Sequence, residues 1–186
     1  MELYIKNMVC NRCKMVVQGE LLKLGLHPIA VDLGRVELAE KTLTNVEQDK
    51  LVEVLERFGF ELLVDKKRQQ SEQIKTTIIE LVHYKTTAIN VNLSTYLSEK
   101  LQVSYSTLSA TFSEMEGVTI ERYFIEQKIE KAKELLTYGE KSLSEIAYTL
   151  GYSSVAHLSA QFKKVAGETP TYYRTHYQNR RTIDEV

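Results

Sequence analysis

The two cysteines of the chain lie in Met8-Val9-Cys10-Asn11-Arg12-Cys13, and no other cysteine is present. Thiols at this spacing can close on one soft ion or on each other. In a reducing compartment, Cys10 and Cys13 therefore point to metal or redox chemistry more than to a structural staple. As thiolates they suit Cu(I) or another soft ion, with Zn(II) admitted if further ligands arrive. Placed in the first turn of a helix, Cys13 would be held as thiolate by the helix N-terminus and by Arg12 and Lys14. Met8 reads as a core anchor for the loop rather than a ligand. A redox switch, or a vestige on a module now used for contacts, stays open beside metal binding. His27, His83, His157 and His176 show no paired metal spacing. No Ser/His/Asp set, phosphate loop or paired-carboxylate site is evident, and the chain is expected not to be an enzyme.

The second chemistry is contact with a nucleic acid, and an internal repeat carries it. Slid by about fifty positions, the segment from Asn92 falls on that from Ser142 without a gap. Leu93 meets Leu143, Ser94 meets Ser144, and Leu108-Ser109-Ala110 meets Leu158-Ser159-Ala160. Phe112, Gly117, Thr119 and Tyr123 meet Phe162, Gly167, Thr169 and Tyr173. Each unit reads as two short helices around a tight turn. In the second, Ser142 and Glu145 form a capping box ahead of Leu143, Ile146, Ala147 and Leu150. Gly151 stops that helix, and Ser153 or Ser154 caps the next. That next helix is expected to bury Leu158, Phe162 and Val165 along one stripe. Its other face shows Ala156, His157, Ser159, Ala160, Lys163 and Lys164, small and polar side chains that allow close approach to a duplex. A plain helical bundle with an accidental repeat is the alternative. Between the units, Ile125, Ile129, Ala132, Leu135 and Leu136 mark one amphipathic helix from about Thr119 to Tyr138.

The first region reads strand, helix, strand, strand, helix, strand. Glu2 to Met8 alternates as a strand, and Met15, Val16, Leu21, Leu22 and Leu24 follow with helical character. Ile29–Asp32 and Arg35–Leu38 make a hairpin around Leu33-Gly34. Val46, Leu51, Val52, Val54 and Leu55 belong to a second helix, and Glu61–Val64 is the last strand. This is the order of a ferredoxin-like βαββαβ sandwich. The charged stretch Asp65–Ser71 reads as a hinge with a boundary near Arg68, giving domains at 1–67 and 71–178. The fold class expected is α+β, a small βαββαβ domain followed by an all-α domain.

Composition sets the bounds. With 43% hydrophobic and 26% charged residues over 186 positions, the chain can bury a core and is not compositionally disordered. The formal net charge of -1 gives no support to a nucleic-acid reading, so that reading rests on local pattern. No apolar run reaches membrane-spanning length, and Met1-Glu2-Leu3-Tyr4-Ile5-Lys6 lacks a secretory signal. A cytoplasmic location is expected.

Residues from about Ser71 to Tyr177 resemble the DNA-binding domain of the AraC/XylS family of transcription regulators. The matching runs are Lys128–Leu136, Ser144–Ala147, Gly151–Ser154, His157–Lys164 and Gly167–Pro170, ending at Tyr173-Arg174. The resemblance implies seven helices, promoter DNA and RNA polymerase as partners, and reading helices near Ser104–Glu116 and Ser154–Ala166. Carried over, the base-facing positions are Tyr105, Ser106 and Ala110, then Val155, Ala156 and Ala160; His157, Ser159 and Gln161 are the remaining polar candidates, and Thr107, Ser109 and Ser154 are expected at the DNA-binding surface beside them. Val155, Ala156 and Ala160 depart from the family, many of whose members carry polar or arginine side chains there. Alanine can touch a thymine methyl but makes no bidentate bond. Phosphate contacts are expected from Lys163, Lys164 and Arg174, assisted by Arg180 and Arg181. The first 67 residues resemble heavy-metal-associated (HMA) domains, through the M-x-C-x-x-C loop and Phe58-Gly59-Phe60. Asn7 stands where those domains often have glycine. The resemblance implies a metal-binding sensor module at Cys10 and Cys13. A metal-trafficking protein, similar to a copper chaperone, with a helical partner-docking domain is the alternative.

Overall fold

Alternation sets the sheet. In β1 (Glu2–Lys6), Leu3 and Ile5 are buried, and in β3 (Arg35–Leu38) Val36 and Leu38 are buried with them. Leu3 pairs with Val36 and Ile5 with Leu62, so both apolar sets face one side. The strands β2 (Pro28–Asp32) and β4 (Glu61–Leu63) complete an antiparallel sheet in the order β2-β3-β1-β4. Helices α1 (Asn11–Lys23) and α2 (Asn45–Arg57) cover its apolar face with Val17, Leu21, Leu51 and Leu55. Met8 is fully buried in this core, as its anchor role requires. Met15 and Leu22, part of the expected helical apolar set, are instead exposed on α1.

This computed structural model describes residues 1–85 and 92–178. Arg180 and Arg181 fall outside the described residues. Among the described residues seven α-helices follow the sheet: α3 (Lys66–Ile79), α4 (Leu93–Leu101), α5 (Tyr105–Glu116), α6 (Ile120–Tyr138), α7 (Leu143–Thr149), α8 (Val155–Ala166) and α9 (Pro170–Gln178). A π-helical turn, Glu80–Tyr84, continues α3. Among the described residues no helix is long and apolar enough to cross a membrane.

The stretch expected as a hinge is helical. Asp65 accepts a hydrogen bond from the Arg68 amide at 2.9 Å, which caps the first turn of α3, and Ser71 is buried. Charge along a chain marks a solvated surface, and a capped helix can carry that surface as well as a linker can.

Two compact units emerge, and they do not follow chain order. One joins Met1–Thr77 to Leu97–Gly117; the other joins Ile78–Tyr96 to the chain from Val118 onward. By this grouping the helix α5 falls with the sheet. The second unit is built on α6, whose Ile120, Ile129, Ala132 and Leu136 are buried together with Ile146, Leu150, Leu158 and Phe162.

Gly34, in the β2–β3 turn, has a φ of +74°, and a Cβ there would meet Thr76 Cγ2 of α3 at 2.9 Å. Gly34→Ala is expected to cost about 1–3 kcal/mol in urea unfolding, from left-handed strain plus this contact. Adding Thr76→Ser should recover the contact part only. Gly25→Ala, at φ +76° in open space, should cost the strain part alone.

Candidate functional site

The helices α5 and α8 are built alike from their ends inward. Ser104 caps α5 by accepting from the Thr107 amide, and Ser154 caps α8 by accepting from the His157 amide. Gly117 and Gly167 end them in the left-handed region, at φ +70° and +84°. Leu108 and Phe112 are buried on one, and Leu158 and Phe162 on the other. The remaining face repeats as well. Ser106, Thr107 and Ala110 are exposed, as are Ala156, His157 and Ala160; Tyr105, Ser109, Val155 and Ser159 are half-buried beside them. Every base-facing position expected from the sequence therefore reaches the surface of its helix.

His157 is held in place. Its Nδ1 lies 3.2 Å from Ser153 Oγ, and its ring meets Tyr152 edge-on at 5.3 Å. Lys163 and Lys164 are exposed in the last turn of α8. Their counterparts Ser113 and Glu114 differ in kind, and Glu114 accepts from Lys67 at 2.7 Å. Arg174, expected on phosphate, directs Nη2 to the Lys141 carbonyl at 2.7 Å while its Nε is buried. Part of its guanidinium thus ties α9 to the α6–α7 turn.

Val165 is a correction. It was expected to be buried with Leu158 and Phe162, but 39% of it is exposed. It borders a groove of about 610 Å³ beside Thr119, Arg122, Ile125, Glu126, Gln161 and Lys164. Helical spacing places Val165 on the inner stripe, yet it lines an open groove there instead of a packed core.

One pair escaped the sequence reading. Lys128 is only 8% exposed, and its Nζ lies 3.7 Å from the Tyr152 ring centroid and 5.3 Å from that of Phe124. Burial pushes its ammonium down to about 8. Burial likewise pushes the Tyr152 hydroxyl up to about 12, and that hydroxyl has no hydrogen-bond partner among the described residues. The signal was available: Lys128 stands three positions after Ile125 and four before Ala132, on the apolar stripe of α6. Its ammonium supports the ring that in turn supports His157.

At the cysteine loop, the two sulfurs lie 3.3 Å apart. Cys10 is the N-cap of α1, and the Cys13 amide, then the Cys13 side chain, pull its pKa below the ordinary value. An N-cap side chain lies near the free amides of the first helical turn. Arg12 adds a smaller pull, and Lys14 is paired with Asp32 at 3.8 Å. Among the described residues no group of three or more His, Cys, Asp or Glu side chains could hold a metal ion.

Lys128 makes stability depend on pH in a defined direction. Its folded-state pKa lies below the ordinary 10.5, so between pH 8 and 10.5 the unfolded chain binds more protons and stability rises with pH. In urea unfolding at pH 8 and pH 10, the native chain should gain about 1–2 kcal/mol relative to Lys128→Met, less than the full shift because the rings favour the cation. Parallel pH profiles for the two proteins would refute this assignment.

Comparison with known proteins agrees with this geometry. A family model described as a helix-turn-helix domain matches residues 97–176. An AraC-like transcription regulator of Streptomyces lividans is 39% identical over 80 residues, covering 43% of this chain and 26% of that protein. An HTH-type transcriptional regulator of Staphylococcus aureus is 38% identical over 78 residues, covering 42% of this chain and 10% of its own length. The chain thus spans about a quarter or less of these curated relatives. A solved transcriptional regulator from Chromobacterium violaceum, with an AraC-type DNA-binding domain, shares the fold. Its TM-score is 0.51 at 22% identity, over 60% of this chain and 97% of that one. Residues 97–176 thus match a helix-turn-helix domain and are similar to part of an AraC-like transcription regulator.

Proposed function

We propose that the chain is a transcription regulator that binds promoter DNA through α5 and α8 and responds to the metal or thiol state of Cys10 and Cys13. The observation that carries the DNA reading is the recurrence of the exposed helix front. At positions fifty apart, the same small and polar faces return with the same caps. Two such helices can read successive major grooves on one side of a duplex. In this reading Ala156 and Ala160 touch thymine methyls, and His157 supplies a hydrogen-bonding group held by Ser153 and Tyr152. Lys163 and Lys164 grip phosphate, and Arg174 contributes through the guanidinium nitrogens not given to Lys141. RNA polymerase is the protein partner, and the cytoplasm, which keeps thiols reduced, is the compartment.

We read the sheet unit as an HMA-like, ferredoxin-like sensor. The order βαββαβ with sheet order β2-β3-β1-β4 supports this, as does the thiol pair ahead of α1. Two thiols without a third donor among the described residues suit a soft ion of low coordination number such as Cu(I). Zn(II) would need further donors from elsewhere.

The test is binding to a randomised DNA pool at moderate salt, with sequencing of the retained fraction. An enriched two-part motif with halves about ten base pairs apart is expected. No retention by the reduced, metal-free protein or by the Cu(I)-loaded protein would defeat the reading and favour metal trafficking. On the enriched site, Lys163→Gln with Lys164→Gln should flatten the log affinity–log salt slope by about 1.8. His157→Ala should relax base preference at one position by about 1–3 kcal/mol and leave that slope unchanged.

A further inference from the structure

Within the unit that contains the sheet, one line of polar contacts runs from the cysteine loop to the end of α5. Asn7 begins it. Its φ is +72°, its Nδ2 donates to the Gly59 carbonyl at 2.8 Å, and its own carbonyl lies 4.0 Å from Cys13 Sγ. The Asn7 amide donates to Glu72 Oε1 at 3.3 Å. Glu72, 5% exposed on α3, holds Lys75 at 2.8 Å through its other oxygen. Lys75 reaches Glu116 of α5 at 3.3 Å, and Ser71 donates to the same carboxylate at 2.6 Å. Burial alone would raise the Glu116 carboxyl, but Ser71 and Lys75 hold it below its ordinary value. For Lys75, burial works downward and the two glutamates more than offset it. These groups are screened less than the exposed Lys67–Glu114 pair, so the line through Glu72 and Lys75 is the stronger tie on α5.

Disulfide formation would give the cysteine loop a second arrangement beside the reduced one. Reduced, its sulfurs stand 3.3 Å apart. Joined, they must close to about 2.05 Å, and Asn7, between β1 and the loop, is the residue whose carbonyl lies nearest this change. We propose that a Cys10–Cys13 disulfide is read out at α5 through Asn7, Glu72, Lys75 and Glu116, so that thiol state changes recognition of the α5 half-site and leaves the α8 half-site unaffected. The inference rests on the DNA reading above. The oxidant is a low-molecular-weight disulfide such as oxidised glutathione. The Cys10 thiolate attacks one sulfur and expels a thiolate, leaving a mixed disulfide. The Cys13 thiolate then attacks Cys10 Sγ and expels the second. Two electrons pass from the pair to the oxidant, and the two protons lost by the cysteines end on the released thiols. The two-state loop and its contacts supply the physical link that coupling between separated sites requires.

The test uses the full chain, the enriched two-part DNA and two derivatives with one half scrambled. Affinities are measured after reduction and after equilibration with oxidised glutathione. Oxidation should change affinity about fivefold on the intact site and on the site retaining the α5 half. It should change nothing on the site retaining the α8 half, and Cys10→Ser with Cys13→Ser should abolish the response. Glu72→Gln should bind DNA when reduced yet lose the response; Glu116→Gln serves if the first variant fails to fold. Hydrogen exchange at the Ser113–Gly117 amides, measured without DNA, should differ between the two thiol states in the native chain and not in Glu72→Gln. Equal affinities in both states, a response shared by both halves, or a full response in both glutamate variants overturns this proposal and leaves DNA recognition standing. Absence of DNA binding in either state takes both down.

Discussion

A helix begins with four amide groups that nothing inside it can pair, and these orphan donors organise the helical part of this chain. Asn92, Ser104 and Thr119 accept from amides at the starts of α4, α5 and α6. Ser142, Ser154 and Thr169 do the same for α7, α8 and α9, each fifty positions later. A cap sets where the first turn forms, and hence which residues face outward after it. Repeating the caps repeats the faces, and two like surfaces follow from two like sets of polar side chains. Move one cap by a residue and the following stripe rotates by about 100°, which would turn Leu158 or Leu108 out and a small front residue in.

What keeps the second front in place is electrostatic and aromatic. A lysine without a buried anion is costly inside a protein. Here the π-faces of Tyr152 and Phe124 stand in for the anion, and Tyr152 passes that support to His157 by an edge contact. The first unit relies on other means. Gln102 takes the left-handed conformation at φ +56° in its turn, with its side chain donating to the Glu99 carbonyl at 2.7 Å. The end of α5 is held by carboxylates and α3. The two repeats share outer faces and differ in how each is supported, which gives each half its own sensitivity to the rest of the molecule.

Strand order, the hairpin and the helix starts were legible because each depends on contacts within a few residues. Alternation in Leu3 and Ile5, the Leu33-Gly34 turn and the Ser142–Glu145 capping box carry their own geometry. The failures are of another kind. Asp65–Ser71 looked like a hinge because charge reports solvent exposure, while Asp65 capping a helix is a matter of backbone geometry. Val165 has the periodicity of a core residue, but periodicity names a face and not what lies opposite it. Cys10 and Cys13 were recognised as a pair, yet that Cys10 stands at the N-cap depends on where α1 starts to within one residue.

The sequence by itself determined the repeat, the caps, the outward set from Tyr105 to Ala110 and from Ser154 to Ala160, and the presence of a thiol pair ahead of a helix. These follow from hydrogen bonds and side-chain periodicities that act over one or two turns. Tertiary structure decided that α5 groups with the sheet, that Lys128 lies under Tyr152, and that Asn7, Glu72, Lys75 and Glu116 form one line. Those residues are separated by tens of positions. Their meeting depends on how buried faces pack and on how each buried charge finds a partner, and no local pattern encodes either.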